Sequence, residues 1–304
     1  GSVRPTKERL VRTNRYFMRQ VFSLAILALK VSIPIQVFAM GLGAGWRDAF
    51  HLFCRPRLLA NSVLARNVAV PAIAILLIRT FPFPAAIAIT LGVLAVTPVP
   101  PLLPRSQIRA GARSGYALGL LVSQALLAIV LVPVTIELMD RALGARAYIS
   151  AIRVAELIGE TILIPLAAGM LTSRFLPNLQ RFAPHILMVA TTLLVAGAIP
   201  LLFLGWTAFG ALAGKGLLLA LTIFIVAGMA VGHFLGGQRR PERVALAIAT
   251  PARHPGLAVA IAQTNYPEQS RLVAGAVVIY LVVRVLFLFL YIRWQHAPER
   301  SLES

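Results

Sequence analysis

A chain of 304 residues in which 59% are hydrophobic and only 13% charged is too apolar for a water-soluble domain, where about a quarter of residues carry charge. Its formal net charge of +19 raises nucleic acid as a partner. However, the arginines fall in short joints and at helix ends rather than on one soluble basic face, so the lipid bilayer is the partner expected and nucleic acid is not. The single cysteine, Cys54, excludes an internal disulfide and a multi-cysteine metal site. No metal, cofactor or protein partner is expected.

Taken in chain order, residues 1–19 form a basic segment with Arg4, Lys7, Arg9, Arg12, Arg15 and Arg19, which is either an interfacial amphipathic helix that tolerates the outer side or a sign that the span count below is off by one. They show no charged head, short apolar run and small-residue cleavage site, so no cleaved leader is expected. Apolar windows long enough for a bilayer core follow, and we read about nine spans. They are Val21 to Met40, Leu58 to Phe81, Ala85 to Leu103, Tyr116 to Leu138, Val154 to Thr172, Ile186 to Leu204, Ala208 to Val231, Val244 to Gln263 and Leu272 to Tyr291. None alternates with period two, which excludes an outer-membrane barrel and predicts helices.

The joints after odd-numbered spans hold most of the arginines, among them Arg47, Arg55, Arg57, Arg105, Arg109, Arg113, Arg174, Arg181, Arg239, Arg240 and Arg243. Positive charge is retained on the cytoplasmic side, so the C-terminus is expected inside. With nine spans the N-terminus is then outside. The expected location is a cell membrane, crossed many times, the inner membrane in a bacterium.

Two spans are interrupted by proline in the same way. The third reads LAVTPVPPLLP, with Pro98, Pro100, Pro101 and Pro104, and the eighth reads AIATPARHPGLA, with Pro251 and Pro255. Proline removes a backbone donor and clashes with the preceding turn, so each helix should open at its Thr-Pro step. Open backbone at membrane depth is tolerated only where it is buried in protein or lines a watery cavity. Matched breaks in two halves of a chain point to a site at the membrane midplane between inverted repeats. The single prolines Pro34, Pro71, Pro133, Pro165 and Pro200 are read as simple kinks.

Ionisable residues inside spans mark function or pairing. Arg66 lies part-way along the second span, and Arg253 with His254 lies in the break of the eighth. Neither arginine has an acidic neighbour in sequence. Glu156 and Glu160 sit one helical turn apart near the start of the fifth span. Glu160 is a candidate proton carrier, although a satisfied interfacial carboxylate is the blander reading. Lys30 and Arg284 are read as snorkelling side chains.

Several stretches resemble the bile acid:sodium symporter family. FAMGLGAGWRDAF is similar to that family's helix end, SVLARNVAVPAIAILL to its next helix, IPLAAGMLTSRFLP to the start of its second half, and AIATPARHPGLAVAIAQTNYP to its broken helix. The resemblance runs from about Met40 to about Tyr291. It implies an all-α polytopic fold of ten spans, or nine without the first, arranged as an inverted-repeat transporter with panel and core domains and two crossing broken helices. On this reading 20–46 and 151–205 form panel helices, and 57–139 and 207–293 form core helices.

The same resemblance exposes departures. Where sodium-coupled members carry a Glu followed by a Gln-Asn pair, this chain reads Ala249, Arg253 and His254, and Arg66 replaces a Gln. The first crossing helix reads Pro98-Val99-Pro100 in place of Pro-Gly-Gly, and the hydroxyl ligands of the next helix align with Gly119 and Ser123. Sodium needs oxygen ligands and is repelled by a guanidinium, so Arg66 and Arg253 are expected to stand in for two bound cations.

The function expected is sodium-independent secondary transport of a small anion, an organic monocarboxylate or bicarbonate, by alternating access. Arg66, Thr97, Ser123, Thr250, Arg253 and His254 would bind the anion, with His254 or Glu160 available for proton coupling. The alternatives are a sodium- or proton-coupled organic anion or bile acid symporter, and a non-transporting membrane sensor in which the arginines close the crossing by bonding its exposed carbonyls. The sequence lacks HExxH, paired Asp-rich and GxSxG motifs, so an enzyme is not expected.

Overall fold

The computed structural model of the protein describes residues 20, 24, 27, 28, 30–143 and 151–300, and among them every regular element is helical. The basic segment 1–19 and the joint carrying Arg146 lie outside the described residues. The first helix, α1, runs Lys30–Leu42, followed by the short α2, Trp46–Ala49. Helix α3 spans Pro56–Thr80, α4 Ala85–Val96, α5 Leu103–Arg109 and α6 Ser114–Leu143. Helix α7 covers 151–175 and α8 Ala183–Leu212. The last four are α9 Leu217–Leu235, α10 Arg240–Ala249, α11 Pro255–Asn265 and α12 Ser270–Arg300.

Six segments are long and apolar enough to cross a bilayer: Pro56–Thr80, Ser114–Arg141, Glu156–Phe175, Pro177–Gly197, Leu217–Leu235 and Ser270–Gln295. Large apolar side chains such as Leu76 on α3, Val130 and Leu138 on α6, Phe234 on α9 and Val285 on α12 stand exposed. A soluble protein does not leave that much apolar surface open over so many helices. The chain is a multi-pass membrane protein.

The two proline-rich windows break where expected. Thr97, the residue before Pro98, is extended at φ −76° and ψ 146°, because the proline ring disfavours the helical region for its predecessor. The helix resumes as α5, with Pro104 in its first turn. In the second window α10 stops at Ala249, just ahead of Pro251, and Pro255 opens α11, where its missing N–H costs nothing.

Two prolines read as kinks do more than bend their helices. A π-helical turn, Leu64–Ala69, precedes Pro71 in α3, and another, Gly159–Leu163, precedes Pro165 in α7. A π turn pairs a carbonyl with the N–H five residues on. Five residues after Arg66 is Pro71, which has none, so the Arg66 carbonyl is left for another donor. The helices of 114–143 and 183–212 pass unbroken through Pro133 and Pro200.

Packing places the breaks together. Helix α4 lies against α11 and α12, α5 against α10, and α9 against both α3 and α10, so the halves of the broken segments pair with each other's opposite halves. Elsewhere α1 and α7 touch backbone to backbone: a Cβ built on Gly41 or Gly169 would strike the facing helix. The expected joint near 205–207 is corrected, since α8 continues to Leu212. The turn falls at Gly216, whose φ of +90° only glycine adopts freely.

Candidate functional site: the helix crossing

Opening two helices side by side leaves carbonyls without intrahelical donors. Arg66 and Arg253 supply the donors. From α3, Arg66 Nη1 donates to the Ala249 carbonyl and Nη2 to that of Ala252, at 2.9 Å. From the second break, Arg253 Nη1 donates to the Thr97 carbonyl in the first break at 3.0 Å. Its Nη2 donates to the orphaned Arg66 carbonyl at 2.8 Å. The backbone joins the two breaks directly, His254 N–H to Pro98 O at 3.1 Å.

Tyr280 of α12 completes the arrangement. Its hydroxyl donates to Pro251 O at 2.6 Å and accepts from Arg253 N–H at 2.9 Å. Sequence reasoning passed over Tyr280, whose only signal was a hydroxyl in the otherwise apolar run VVIYLVV. All of these groups are sealed from solvent, with Arg66 and Arg253 each 1% exposed.

The other expected site residues divide. Thr97 and Thr250 are buried at the two breaks, and Ser123 is buried on α6. Their hydroxyls are turned inward on their own segments, to Leu94 O at 2.9 Å, Leu246 O at 2.7 Å and Leu120 O at 3.3 Å. They are acceptors with their protons already placed. His254 caps α11: its Nδ1 accepts the Leu257 N–H at 3.2 Å. An accepting Nδ1 carries no proton, so the ring hydrogen is on Nε2. Glu160 stands apart, exposed on the π turn of α7 and outside the hydrogen bonds of the crossing.

Among the described residues two buried N–H groups at the crossing have no hydrogen-bond partner, Arg253 Nε and His254 Nε2. Both are donors, and they belong to adjacent residues. Among the described residues no carboxylate pairs with Arg66 or Arg253, and the buried acidic residue is Glu242, held at the far end of α10 by Arg55 at 3.3 Å.

A cavity of about 200 Å³ approaches from the arginine-poor end, lined by Ile89, Val93 and Val96 of α4, Met139 and Asp140 of α6, and Tyr266 after α11. It reaches Val96, the residue before Thr97. Drug-sized ligands occupy roughly 300–1,000 Å³, so this cavity fits a smaller molecule. The arginine-rich end carries a contact between α5 and α8, Arg105 Nη1 to Thr191 Oγ1 at 2.6 Å.

Comparison with known proteins bears out the resemblance read in the sequence. The sodium bile acid symporter family model matches residues 31–220. No curated protein matches the chain. The matched stretch runs from α1 into α9 and includes Arg66, Thr97 and Ser123, while Arg253 and His254 lie beyond it. Members of this family are transporters of bile-acid and organic-anion type rather than enzymes. With its matched residues covering well over half its length, the chain belongs to the sodium bile acid symporter family.

Proposed function

We propose that the protein is a sodium-independent secondary transporter of small anions, an organic monocarboxylate or bicarbonate, working by alternating access in a bacterial inner membrane. The observation that carries this reading is a pair of buried guanidiniums at the helix crossing with no carboxylate beside them among the described residues. A charge removed from water costs several kcal/mol unless it is compensated. Carbonyl dipoles supply part of the compensation, and a bound anion supplies the rest.

The carbonyls that guanidinium N–H groups occupy, those of Thr97, Ala249 and Ala252, are the kind of oxygen ligand that a hard cation uses. Arg66 and Arg253 thus do for the opened helices what bound sodium would do, and they do it permanently. Arg253 Nε and His254 Nε2, the unused donors, are the contacts we assign to the anion. Thr97, Thr250 and Ser123 line the site as acceptors and space-fillers. Protonation of His254 would break its cap on Leu257, so His254 serves better as a neutral donor than as a proton carrier. The π turn beside Glu160 gives no separate support to proton coupling. The nine-span count, with α1 and the two broken segments added to the six long helices, belongs to this proposal. So does the division into panel and core helices, its second panel stretch extended to Leu212.

One observation favours a non-transporting sensor. The guanidinium-to-carbonyl bonds tie α3 and both breaks into one unit, which would serve a fixed receptor equally well. Uptake of radiolabelled pyruvate, lactate, acetate and bicarbonate into proteoliposomes preloaded with the same unlabelled anion, with and without sodium, separates the two. We expect protein-dependent uptake of at least one anion, unchanged when potassium replaces sodium and lost in Arg66→Ala and Arg253→Ala. Binding without flux would favour the sensor.

A further inference from the structure

We infer that the carrier is an obligate exchanger: it returns across its cycle only with an anion bound. The inference rests on the proposed function and adds to it the direction and coupling of the flux. It comes from counting charge at the crossing. The two buried guanidiniums contribute two positive charges, the partly exposed Arg284 of α12 adds a third within electrostatic range of Arg66, and no described carboxylate lies beside them. The half-helix C-termini of α4 and α10 bring roughly half a negative charge each. The N-termini of α5 and α11, across the same two breaks, bring roughly half a positive charge each, so the dipoles cancel. The guanidinium charges remain.

Any alternating-access cycle passes through a state closed on both sides. At that point the site exchanges its remaining hydration for protein and lipid. Arg66 and Arg253 are already 1% exposed, even though the cavity reaches Val96. With an anion on the free donors of Arg253 and His254, closure buries a partly neutralised group. Without one it buries the whole positive charge, and the low dielectric makes that state scarce. A sodium-coupled carrier avoids this penalty by releasing its cations before it returns. A guanidinium cannot be released, so here the returning anion takes that role. One anion enters as another leaves.

The test uses the full chain in proteoliposomes loaded with radiolabelled pyruvate, lactate, acetate or bicarbonate, one anion per preparation. Exit is followed into medium holding the same unlabelled anion, or into medium where a bulky sulfonate buffer replaces it. Valinomycin with equal potassium on both sides removes any diffusion potential that would hold back net flux, and protein-free liposomes give the leak. For at least one anion we expect protein-dependent exit to be about tenfold or more faster with the anion outside, as the buried-charge penalty requires. Equal exit rates in both media would overturn obligate exchange and leave the transporter reading intact. Absence of protein-dependent exit for every anion would overturn both. In Arg66→Gln, which removes one of the two buried guanidinium charges, the ratio of the two rates is expected to fall. An unchanged ratio in a variant that still transports would also overturn the inference.

Discussion

Two regions of the molecule use arginine in opposite ways. At the N-terminal end of α10, Arg55 and Arg239 hold Glu242 at 3.3 and 4.0 Å, and both guanidiniums are substantially exposed to solvent. At the crossing, Arg66 and Arg253 are buried and bonded to carbonyls alone. The first arrangement is an ordinary ion pair, balanced by the protein itself and cushioned by water. The second holds the opened helices together and leaves their charge unbalanced. Where a chain retains buried charge without a partner, function is the usual reason.

The comparison breaks most sharply on removal of a crossing arginine. Arg253→Ala leaves the Thr97 and Arg66 carbonyls without that donor and Arg66→Ala the Ala252 carbonyl, while Ala249 O keeps the Ala252 N–H; each loss costs about 1–3 kcal/mol. Unfolding in mild detergent should begin at markedly lower temperature, and anion uptake should fall to the level of empty liposomes. A variant that transports normally would show that the crossing charge is idle. Arg66→Lys sharpens the point, because it keeps the charge and loses the paired donors. We expect roughly tenfold slower uptake, still independent of sodium, with a thermal midpoint between those of wild type and Arg66→Ala.

Smaller effects follow away from the guanidiniums. Tyr280→Phe deletes the hydroxyl that joins Pro251 O to Arg253 N–H. That should cost about 1–3 kcal/mol and slow uptake a few-fold, measured in the same reconstituted system. Glu242→Gln at the far end should matter least. Its partners are 39% and 63% exposed, so the loss is under about 1 kcal/mol, with transport unchanged. A collapse of transport in Glu242→Gln beside normal transport in Arg253→Ala would reverse the roles assigned to the two regions.

Much of this contrast was legible in the residues. Proline at matched places located both breaks, and a guanidinium in an apolar span singled out Arg66 and Arg253. What escaped has physical reasons. Acceptor carbonyls carry no sequence signature, so the partners of the arginines were invisible until the helices were placed. The π turn depends on register: Pro71 read as a kink because nothing in LARNVAVP says which carbonyl it orphans. The end of α8 was misplaced because GWTAFGALAGKG contains four glycines, and the one with positive φ is the last of them, Gly216. The hydroxyls of Thr97, Thr250 and Ser123 were read as anion-binding groups and not as self-satisfied ones, since a carbonyl three or four residues back is invisible in the residue pattern.

Ligand-induced stabilisation tests the central claim most directly. A ligand that binds only the folded state raises the unfolding midpoint by an amount that grows with the logarithm of its concentration over its dissociation constant. Purified protein in detergent should be stabilised by at least one small carboxylate or by bicarbonate to the same extent in sodium and in potassium salts, and Arg253→Ala should lose that shift. Stabilisation by sodium itself, or an anion effect that requires sodium, would contradict the view that fixed guanidinium charge replaces the bound cation.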